Sequence, residues 1–322
     1  MGVYRTDICT QYMTKMTDMK RYMWLWVAVL VCGLLCGCDP KEDPVEPDDS
    51  IPSWDDDEEY DEPVTVSNGL FSVSESRQVY FSAGNLQYKA SSGTWRIAPK
   101  QYECIGDDNA RIGASYDGWI DLFGWGTSGW SSGANAYQPY ATNNMATDYT
   151  PGGNASNNLT GSYANSDWGV FNIVSNLSPT SGWRTLTQPE WGYLLGSAGK
   201  RFNKWGAATV DSRYRGIVIL PDDWTQPSKV NFTAGNGQEY NTNMYTLKQW
   251  ERMESAGAKF LPAAGYRVGT SVYGVGTYGY YWSASAKDEN YAFGMNFYAT
   301  YLTGQYPLYR DYGRSVRLVR DK

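Results

Sequence analysis

Two stretches of the chain place apolar residues at the spacing of a helix that packs one face against a core. In the first stretch, Trp191, Leu194 and Leu195 fall on one helical face. Thr187 stands three residues before Glu190, which is the spacing of a capping box. In that motif the Thr hydroxyl accepts from the first turn, and the Glu side chain reaches back to the start. The pattern therefore predicts a helix that begins just after Thr187.

The second helical stretch begins at Thr246, which has Gln249 in the same capping position. Apolar residues recur at every third position from Leu247 to Met253, so they form a stripe on one side of a helix. Gly257 is a natural stop, because glycine readily adopts the left-handed conformation that ends many helices. A second helix is predicted between Thr246 and Gly257.

Short runs rich in β-branched and aromatic residues predict strands. Residues 79–81 and 86–88 predict two strands with a turn at Gly84-Asn85 between them. Nearer the C-terminus, residues 279–283 and 315–319 predict two paired strands that close the domain. Frequent Gly, Ser and Asn between such runs favour short strands joined by long loops.

The N-terminal region has the pattern of a secretory signal. Residues 22–35 form an apolar run that follows Lys20-Arg21 and ends in Cys36-Gly37-Cys38. A basic start, a short apolar run and small residues at the end are typical of a signal peptide. The final Cys resembles a bacterial lipobox, which implies cleavage before Cys38 and a lipid on its sulfur. Residues 1–37 are therefore expected to be a lipoprotein signal peptide. The alternatives are an ordinary signal peptide and a short membrane helix, for which the run is too short.

The acidic charge of the chain is concentrated in one segment. Residues 39–62 hold thirteen acidic residues and one Lys, a net charge of −12, within a chain whose total is −7. Residues 1–38 carry +2, which leaves +3 for residues 63–322. High charge and frequent Pro prevent folding, so residues 38–66 are expected to form a disordered tether. The near-neutral remainder lacks the basic field of a nucleic-acid-binding protein.

Two short motifs in this tether indicate a location at the cell surface. The charged, acid-rich stretch directly after Cys38 resembles the surface-export signal of lipoproteins in Bacteroides-type bacteria. Asp49-Ser50-Ile51 resembles the O-glycosylation motif of the same bacteria. These resemblances imply a palmitate-bearing lipoprotein of the cell outer membrane that is exposed at the cell surface.

The cysteine and histidine content limits the chemistry of the chain. It has five Cys and no His, and Cys9, Cys32 and Cys36 lie in the segment expected to be removed. With Cys38 as lipid anchor, Cys104 stands alone, so no intramolecular disulfide is expected in the mature domain. The lack of His excludes Ser-His-Asp and Cys-His catalysis. We therefore expect a protein that is not an enzyme and needs no cofactor.

Residues 67–322 are expected to form one domain with a loop insertion near residues 127–162, where Gly, Asn, Ser and Ala dominate. Its most distinctive segments are Trp-rich and long: residues 119–127, 183–187 with Glu190-Trp191, 220–222, 260–267, 281–283 and 315–319. Their order resembles the Fibrobacter succinogenes major paralogous domain and related lipoprotein domains of gut bacteria. The resemblance covers residues from about 78 to about 320.

That group is similar to the C-type lectin-like superfamily, which includes formylglycine-generating enzymes and the variable proteins of diversity-generating retroelements. The similarity implies an α+β class and a C-type lectin-like fold, with two helices packed on small antiparallel sheets and long loops. Formylglycine-generating enzymes need a pair of active-site Cys, and Cys104 has no such partner. The triplet nearest to a calcium-binding lectin motif, Gln188-Pro189-Glu190, is a helix start, so calcium-dependent sugar binding is not supported.

Aromatic residues are concentrated in residues 278–312, where they make up twelve of 35 residues against 16% in the whole chain. Strand alternation predicts that about half of them fill the core. Tyrosines among Gly, Ser and Asn are typical of antibody paratopes. In retroelement-diversified proteins the variable residues lie between a Tyr-Trp-Ser strand and a Ser-Val-Arg-Leu-Val strand, as here. The predicted ligand-binding residues are Tyr298, Tyr301, Tyr306, Tyr309, Arg310, Asp311 and Tyr312.

This interpretation makes a structural prediction. The five tyrosines should be mostly exposed and close together, whereas Trp282, Val316 and Leu318 should be buried on the closing strands.

Other charged residues are assigned structural or solvent-exposed positions. The acid pairs Asp107-Asp108 and Asp222-Asp223 are expected to be solvated loop residues. The arginines near the C-terminus are expected to pair with acids inside the fold rather than to contact a ligand. These arginines are Arg267, Arg314 and Arg317.

The favoured function is a surface-exposed lipoprotein that binds an extracellular protein or glycan through its C-terminal Tyr-rich loops. Two other classes remain open. One is a structural or fimbria-associated component, whose loops would meet another protein. The other is a carboxylate-based enzyme such as a glycosidase, which needs only two acids near a sugar.

Overall fold

The computed structural model describes residues 69–196, 199–235 and 239–322 of the chain. The expected signal peptide, the lipid anchor Cys38 and the acidic tether lie outside the described residues. The described part is a mixed α+β fold built from many small sheets and few helices. None of its helices is long and apolar enough to span a membrane.

Three helices and sixteen strands make up this part of the chain. The helices are α1 (Trp168–Phe171), α2 (Gln188–Leu194) and α3 (Leu247–Ser255). The strands are β1 (Phe71–Ser72), β2 (Gln78–Phe81), β3 (Leu86–Lys89), β4 (Thr94–Ile97), β5 (Trp119–Ile120), β6 (Trp183–Thr185), β7 (Trp205–Val210), β8 (Tyr214–Ile219), β9 (Met244–Tyr245), β10 (Lys259–Pro262), β11 (Tyr266–Val268), β12 (Ser271–Tyr273), β13 (Gly279–Ala286), β14 (Tyr291–Tyr298), β15 (Tyr301–Tyr309) and β16 (Leu318–Asp321).

Both predicted helices are confirmed, and each begins with its predicted capping box. At α2, the Glu190 carboxylate accepts from the backbone N–H of Thr187 at 2.8 Å. At α3, the backbone N–H of Thr246 donates to Gln249 Oε1 at 3.0 Å, and Thr246 Oγ1 accepts from the Gln249 N–H at 3.2 Å. These bonds satisfy N–H groups that the first helical turn leaves without partners.

The strands form five small sheets, in which every pairing except β7 with β9 is antiparallel. One sheet has the order β1-β2-β16-β6, so it joins the two ends of the described chain. A second has the order β10-β8-β7-β9, and a third has the order β4-β3-β5. The hairpin β11-β12 and the meander β13-β14-β15 complete the set.

The prediction that residues 279–283 and 315–319 pair as closing strands is wrong. Strand β13 pairs with β14, and β16 pairs with β2 and β6 in a different sheet. The two segments meet at a parallel bridge between Tyr281 and Ser315, where the backbone N–H of Trp282 donates to the Ser315 carbonyl at 3.0 Å. After this bridge the chain leaves the β13-β14-β15 meander and enters the β1-β2-β16-β6 sheet, which we call the terminal sheet.

Strand β13 lies where the two largest hydrophobic clusters meet. Successive side chains of a strand point to opposite faces. Accordingly, Tyr281 belongs to one cluster and Trp282 to the other. The indole N–H of Trp282 donates to the Phe123 carbonyl at 2.6 Å. Trp282, Val316 and Leu318 are fully buried, which confirms that part of the prediction.

Residues 127–162 contain no strand, as expected, but they are not a free surface loop. Their backbone forms short 3-10 turns, and the side chains of Tyr149 and Leu159 are buried. The Leu159 N–H donates to the Ala284 carbonyl at 2.9 Å, and the Arg310 guanidinium donates to the Tyr149 carbonyl at 3.2 Å. The segment therefore packs onto β13 and the end of β15.

Candidate functional site

A cleft of about 500 Å³ opens beside the hairpin of β14 and β15. We name it the Arg314 cleft. Most of its lining is aromatic, and no Asp or Glu of the described chain contributes to it. The lining residues are Tyr266, Tyr280, Lys287, Tyr291, Tyr306, Pro307, Leu308, Tyr309, Tyr312 and Arg314.

The strand register brings part of this lining together. Tyr291 on β14 lies directly opposite Tyr309 on β15, and their ring centroids are 4.5 Å apart. Directly opposed residues of an antiparallel pair share one side of the sheet. The chain then turns after β15, which places the Tyr312 ring 5.2 Å from that of Tyr309. One wall of the cleft is therefore a continuous row of three tyrosines.

A second wall comes from residues that are distant in the sequence. Tyr266 on β11 stacks on Tyr312, with ring centroids 6.1 Å apart. Tyr280 on β13 meets Tyr266 edge to face at 5.6 Å. Offset-stacked and edge-to-face arrangements are the favoured geometries of aromatic pairs. The cleft thus joins a hairpin, a strand of the meander and the loop that follows β15.

Arg314 lies among these rings with only 5% of its surface exposed. Its guanidinium carbon is 4.1 Å from the ring centroid of Tyr280, 4.6 Å from that of Tyr266 and 5.2 Å from that of Tyr312. Its backbone is held by two hydrogen bonds to Phe123, at 2.8 and 2.9 Å. Three aromatic faces therefore surround the cation, which is a favourable cation–π arrangement.

This arginine has no ionic partner in the part of the chain that the structure describes. Its Nε and Nη1 are buried without a hydrogen-bond partner. No salt bridge among the described residues includes it. Burial lowers the pKa of Arg314 to about 10, so the guanidinium stays charged at neutral pH. A charged group is rarely buried without a partner, because its desolvation is costly.

The expectation that the three arginines pair with acids is wrong for each of them. The Arg267 guanidinium donates to backbone carbonyls, including that of Leu122 at 3.4 Å. The Arg317 guanidinium donates to Asn85 Oδ1 at 3.1 Å and to the Phe260 carbonyl at 2.7 Å. Two of these buried cations thus bridge backbone segments, whereas Arg314 does not.

The predicted tyrosines are exposed but fall into two groups. Tyr298 and Tyr301 stack at 5.1 Å beside the turn of the β14–β15 hairpin. Tyr306, Tyr309 and Tyr312 lie toward the other end, in the Arg314 cleft. Four of these tyrosines are 40–44% exposed, and Tyr312 is half-buried. The four are Tyr298, Tyr301, Tyr306 and Tyr309. The expected single cluster is therefore divided by the length of the hairpin.

Arg310 and Asp311 do not occupy the positions that the sequence interpretation gave them. The Arg310 side chain is fully buried and donates to four backbone carbonyls, those of Tyr149, Ala155, Asp288 and Tyr291. Asp311 is 8% exposed and is not part of the cleft lining. Neither residue lines the Arg314 cleft, so we remove both from the candidate site.

A second cleft of about 390 Å³ lies beside the other tyrosine group. Tyr278 and Tyr298 line it together with Arg215 and Glu239, so its lining carries both signs of charge. The edge-to-face contact between Tyr278 and Tyr298 at 6.0 Å holds its aromatic side. This balance of charge distinguishes it from the Arg314 cleft.

The acid pairs have different environments. Asp222 is not a solvated loop acid as expected, because it accepts from Ser72 Oγ at 2.6 Å and from Arg201 Nη1 at 3.0 Å. These bonds lower the pKa of Asp222 although burial opposes them. Asp108 is exposed and lies 3.3 Å from Arg111 Nε. No group of acids and cysteines in the described residues could hold a metal ion.

Sequence reasoning missed five aromatic or basic members of the cleft lining, and above all Arg314. Tyr266 and Tyr280 reach the cleft through tertiary packing, which no local pattern shows. The signal that was available at Arg314 is its position, two residues after Tyr312 and directly before the buried Ser315. A basic residue between an aromatic loop and a buried segment is a candidate for a functional buried charge.

Comparison with known proteins yields one match. A sequence model described as a domain of unknown function (DUF8237) matches residues 231–319. That region contains β9 to β15, α3 and every residue that lines the Arg314 cleft. No curated protein and no solved structure shows a significant match to the chain.

Proposed function

We propose that this protein is a surface-exposed lipoprotein whose C-terminal domain binds an extracellular ligand, a protein or a glycan. The binding site in this proposal is the Arg314 cleft, with Tyr298 and Tyr301 at the other end of the same hairpin as a second contact area. The single observation that carries it is an aromatic cleft built around a buried, charged guanidinium that forms no salt bridge with any described residue.

Exposure of the tyrosines supports a binding role. Tyr298, Tyr301, Tyr306 and Tyr309 are each at least 40% exposed along one hairpin. Clustered aromatic surface of this kind marks interaction sites more often than it marks plain protein surface. Tyrosine gives a large contact area, can form hydrogen bonds and loses little conformational entropy on binding.

The N-terminal sequence supports a location outside the cell. In this proposal, cleavage before Cys38 leaves a lipid-bearing residue at the start of an acidic tether. A tether of residues 38–66 reaches up to about 100 Å when extended, at roughly 3.3–3.6 Å per residue. In this proposal the tether connects the lipid anchor to the folded domain.

The C-type lectin-like fold is part of the same proposal. Its support is the order of the Trp-rich motifs and the placement of two capped helices, α2 and α3, among small antiparallel sheets. In this fold the loops and hairpins that follow the second helix would carry the ligand site. Diversification of residues between Trp282 and Ser315 by a retroelement is a further expectation from the resemblance.

A carboxylate-based glycosidase has less support than a binding protein. Glycoside hydrolysis requires a pair of carboxyl groups about 5 to 9.5 Å apart on either side of the sugar. No Asp or Glu among the described residues lines the Arg314 cleft. A fimbria-associated component differs from the favoured function only in the partner that the tyrosines would contact.

The proposal is tested with the full chain on a glycan array and in a pull-down from extracellular proteins. A ligand captured by the native chain should be lost from a Tyr306→Ala, Tyr309→Ala double variant. Tyr80→Ala is the matched control, because Tyr80 lies on the terminal sheet away from both clefts. Capture that is equal in all three proteins would contradict the proposed site.

A further inference from the structure

The reachable edge of Arg314 opens into the cleft that bears its name. The residue keeps 5% of its surface accessible and belongs to the cleft lining. Among the described residues Asp311 interacts with it electrostatically, but none forms a salt bridge with its guanidinium. A charge buried in this way needs a counter-ion, and the cleft is the route by which one reaches it.

The second cation of the cleft is consistent with an anionic ligand. Lys287 lines the cleft with its Nζ 4.9 Å from the ring centroid of Tyr291. Its partner Asp288, at 2.7 Å, does not belong to the lining. The lining thus presents two basic side chains and no acidic one among the described residues. Its electrostatic field favours a negatively charged group.

The shape of the cleft selects among anions. Only a small group can reach a guanidinium at the base of a cavity of about 500 Å³. That volume is in the range of small-molecule sites, whereas a stable protein interface buries about 800 Å² on each partner. A carboxylate oxygen matches an arginine because it accepts a short, charge-assisted hydrogen bond from a guanidinium N–H.

The walls of the Arg314 cleft indicate the class of molecule to which the bound carboxylate belongs. They include Tyr266, Tyr291, Tyr306 and Tyr309, each of which carries an aromatic ring and a hydroxyl group. A pyranose has an apolar face of C–H groups that can pack on a ring and an edge of hydroxyls that can bond to phenol oxygens. Tyrosine provides both kinds of contact from one side chain.

We propose that the Arg314 cleft binds a sugar unit of the uronic-acid class, with the carboxylate on the Arg314 guanidinium and the pyranose against the tyrosines. This inference rests on the proposed function and names the ligand class of the same site. An acidic peptide that uses the same arginine is the competing source of the carboxylate.

The test measures calorimetric binding of three probes to the full chain. The probes are tri-galacturonic acid, the matched neutral galactotriose and a short peptide with two Glu side chains. The expected result is at least tenfold tighter binding of tri-galacturonic acid than of galactotriose, with no comparable binding of the peptide. Equal binding of the acidic and neutral sugars, or a preference for the peptide, would overturn the proposal.

Two variants test whether Arg314 is the residue that binds the carboxylate. Arg314→Gln should reduce the preference for the acidic sugar over galactotriose by tenfold or more. Arg213→Gln is the matched control, because Arg213 also stacks on a tyrosine at 4.4 Å but is exposed and lines neither cleft. Preference retained in Arg314→Gln would overturn the assignment.

A conservative variant keeps the test decisive if Arg314→Gln does not fold. Arg314→Lys retains the charge but loses the planar pair of donors, so the acidic preference should fall threefold or more. An unchanged preference would again overturn the assignment. If tri-galacturonic acid does not bind while another ligand is captured through Tyr306 and Tyr309, this inference fails and the proposed function stands. If no ligand depends on Tyr306, Tyr309 or Arg314, the proposed function and this inference both fail.

Discussion

The rings of Tyr266 and Tyr312 are parallel to within 2°, with centroids 6.1 Å apart, although the two residues belong to different elements of the chain. Arg314 contacts both rings and also that of Tyr280. This relationship fixes the base of the cleft, because it locks the loop after β15 against the β11–β12 hairpin. The exposed tyrosines of β15 then extend from a rigid support.

The first prediction concerns Trp282, which is fully buried in one of the two large clusters of the core. Trp282→Ala should lower the free energy of unfolding by about 3–5 kcal/mol, because it leaves a large cavity. It also leaves the Phe123 carbonyl without the indole donor at 2.6 Å. Urea denaturation of the variant and the native chain measures the difference. A loss below about 1 kcal/mol would show that the site can repack and that Trp282 is not central to the core.

The second prediction concerns the pH dependence caused by Lys259. Burial, with a smaller contribution from the nearby Arg317, lowers the pKa of the Lys259 ammonium to about 8. Between pH 8 and its ordinary pKa of 10.5 the unfolded chain binds more protons at this residue than the folded chain. The free energy of unfolding therefore rises with pH across this range. The cost of burying the charged ammonium is present in full below pH 8 and is absent above pH 10.5.

Lys259→Met removes this charge and keeps a side chain of similar length. The variant should be more stable than the native chain at pH 7, by on the order of 3 kcal/mol for a shift of about 2.5 pKa units. The stability difference should narrow as the pH rises from 8 to 10. Denaturation at pH 7, 8, 9 and 10 measures it, and a difference that stays constant with pH would contradict the predicted depression of the pKa.

The local parts of this fold could be predicted from the sequence, and the tertiary parts could not. Thr187 with Glu190 and Thr246 with Gln249 marked both main helices correctly, because a capping box is formed by residues three positions apart. The pairing of β16 with β2 and β6 was missed, since it depends on which strands the whole domain brings together.

The candidate site shows the same division. Exposure of Tyr306 and Tyr309 follows from their position on a hairpin edge, and the sequence indicated it. The burial of Arg310 was not predictable from its neighbours, because its carbonyl partners at Tyr149 and Ala155 come from the segment near residues 127–162. Arg314 was assigned to an internal ion pair for a related reason. A local sequence pattern shows that a charged residue lies near the core, but it does not show whether an acidic partner packs against that residue.

The third prediction concerns the membrane anchor, which lies outside the described residues. Cells that express the native chain should incorporate labelled palmitate into it, and Cys38→Ala should abolish the label. Cys104→Ala is the matched control, because that thiol is partly buried and burial raises its pKa to about 12, which makes it unreactive at neutral pH. Palmitate label that survives in Cys38→Ala would contradict the proposal that this protein is a lipoprotein anchored at Cys38.

The central claim is that exposed tyrosines of the Arg314 cleft bind a ligand and do not support the fold. Its most direct test is the ligand affinity of Tyr306→Ala and of Tyr309→Ala, measured together with the melting temperature of each variant. Each substitution should weaken binding by about 1–2 kcal/mol or more and leave the melting temperature nearly unchanged, because both side chains are at least 40% exposed. Unchanged affinity together with a clearly lower melting temperature would show that these tyrosines stabilise the hairpin, and would contradict the account.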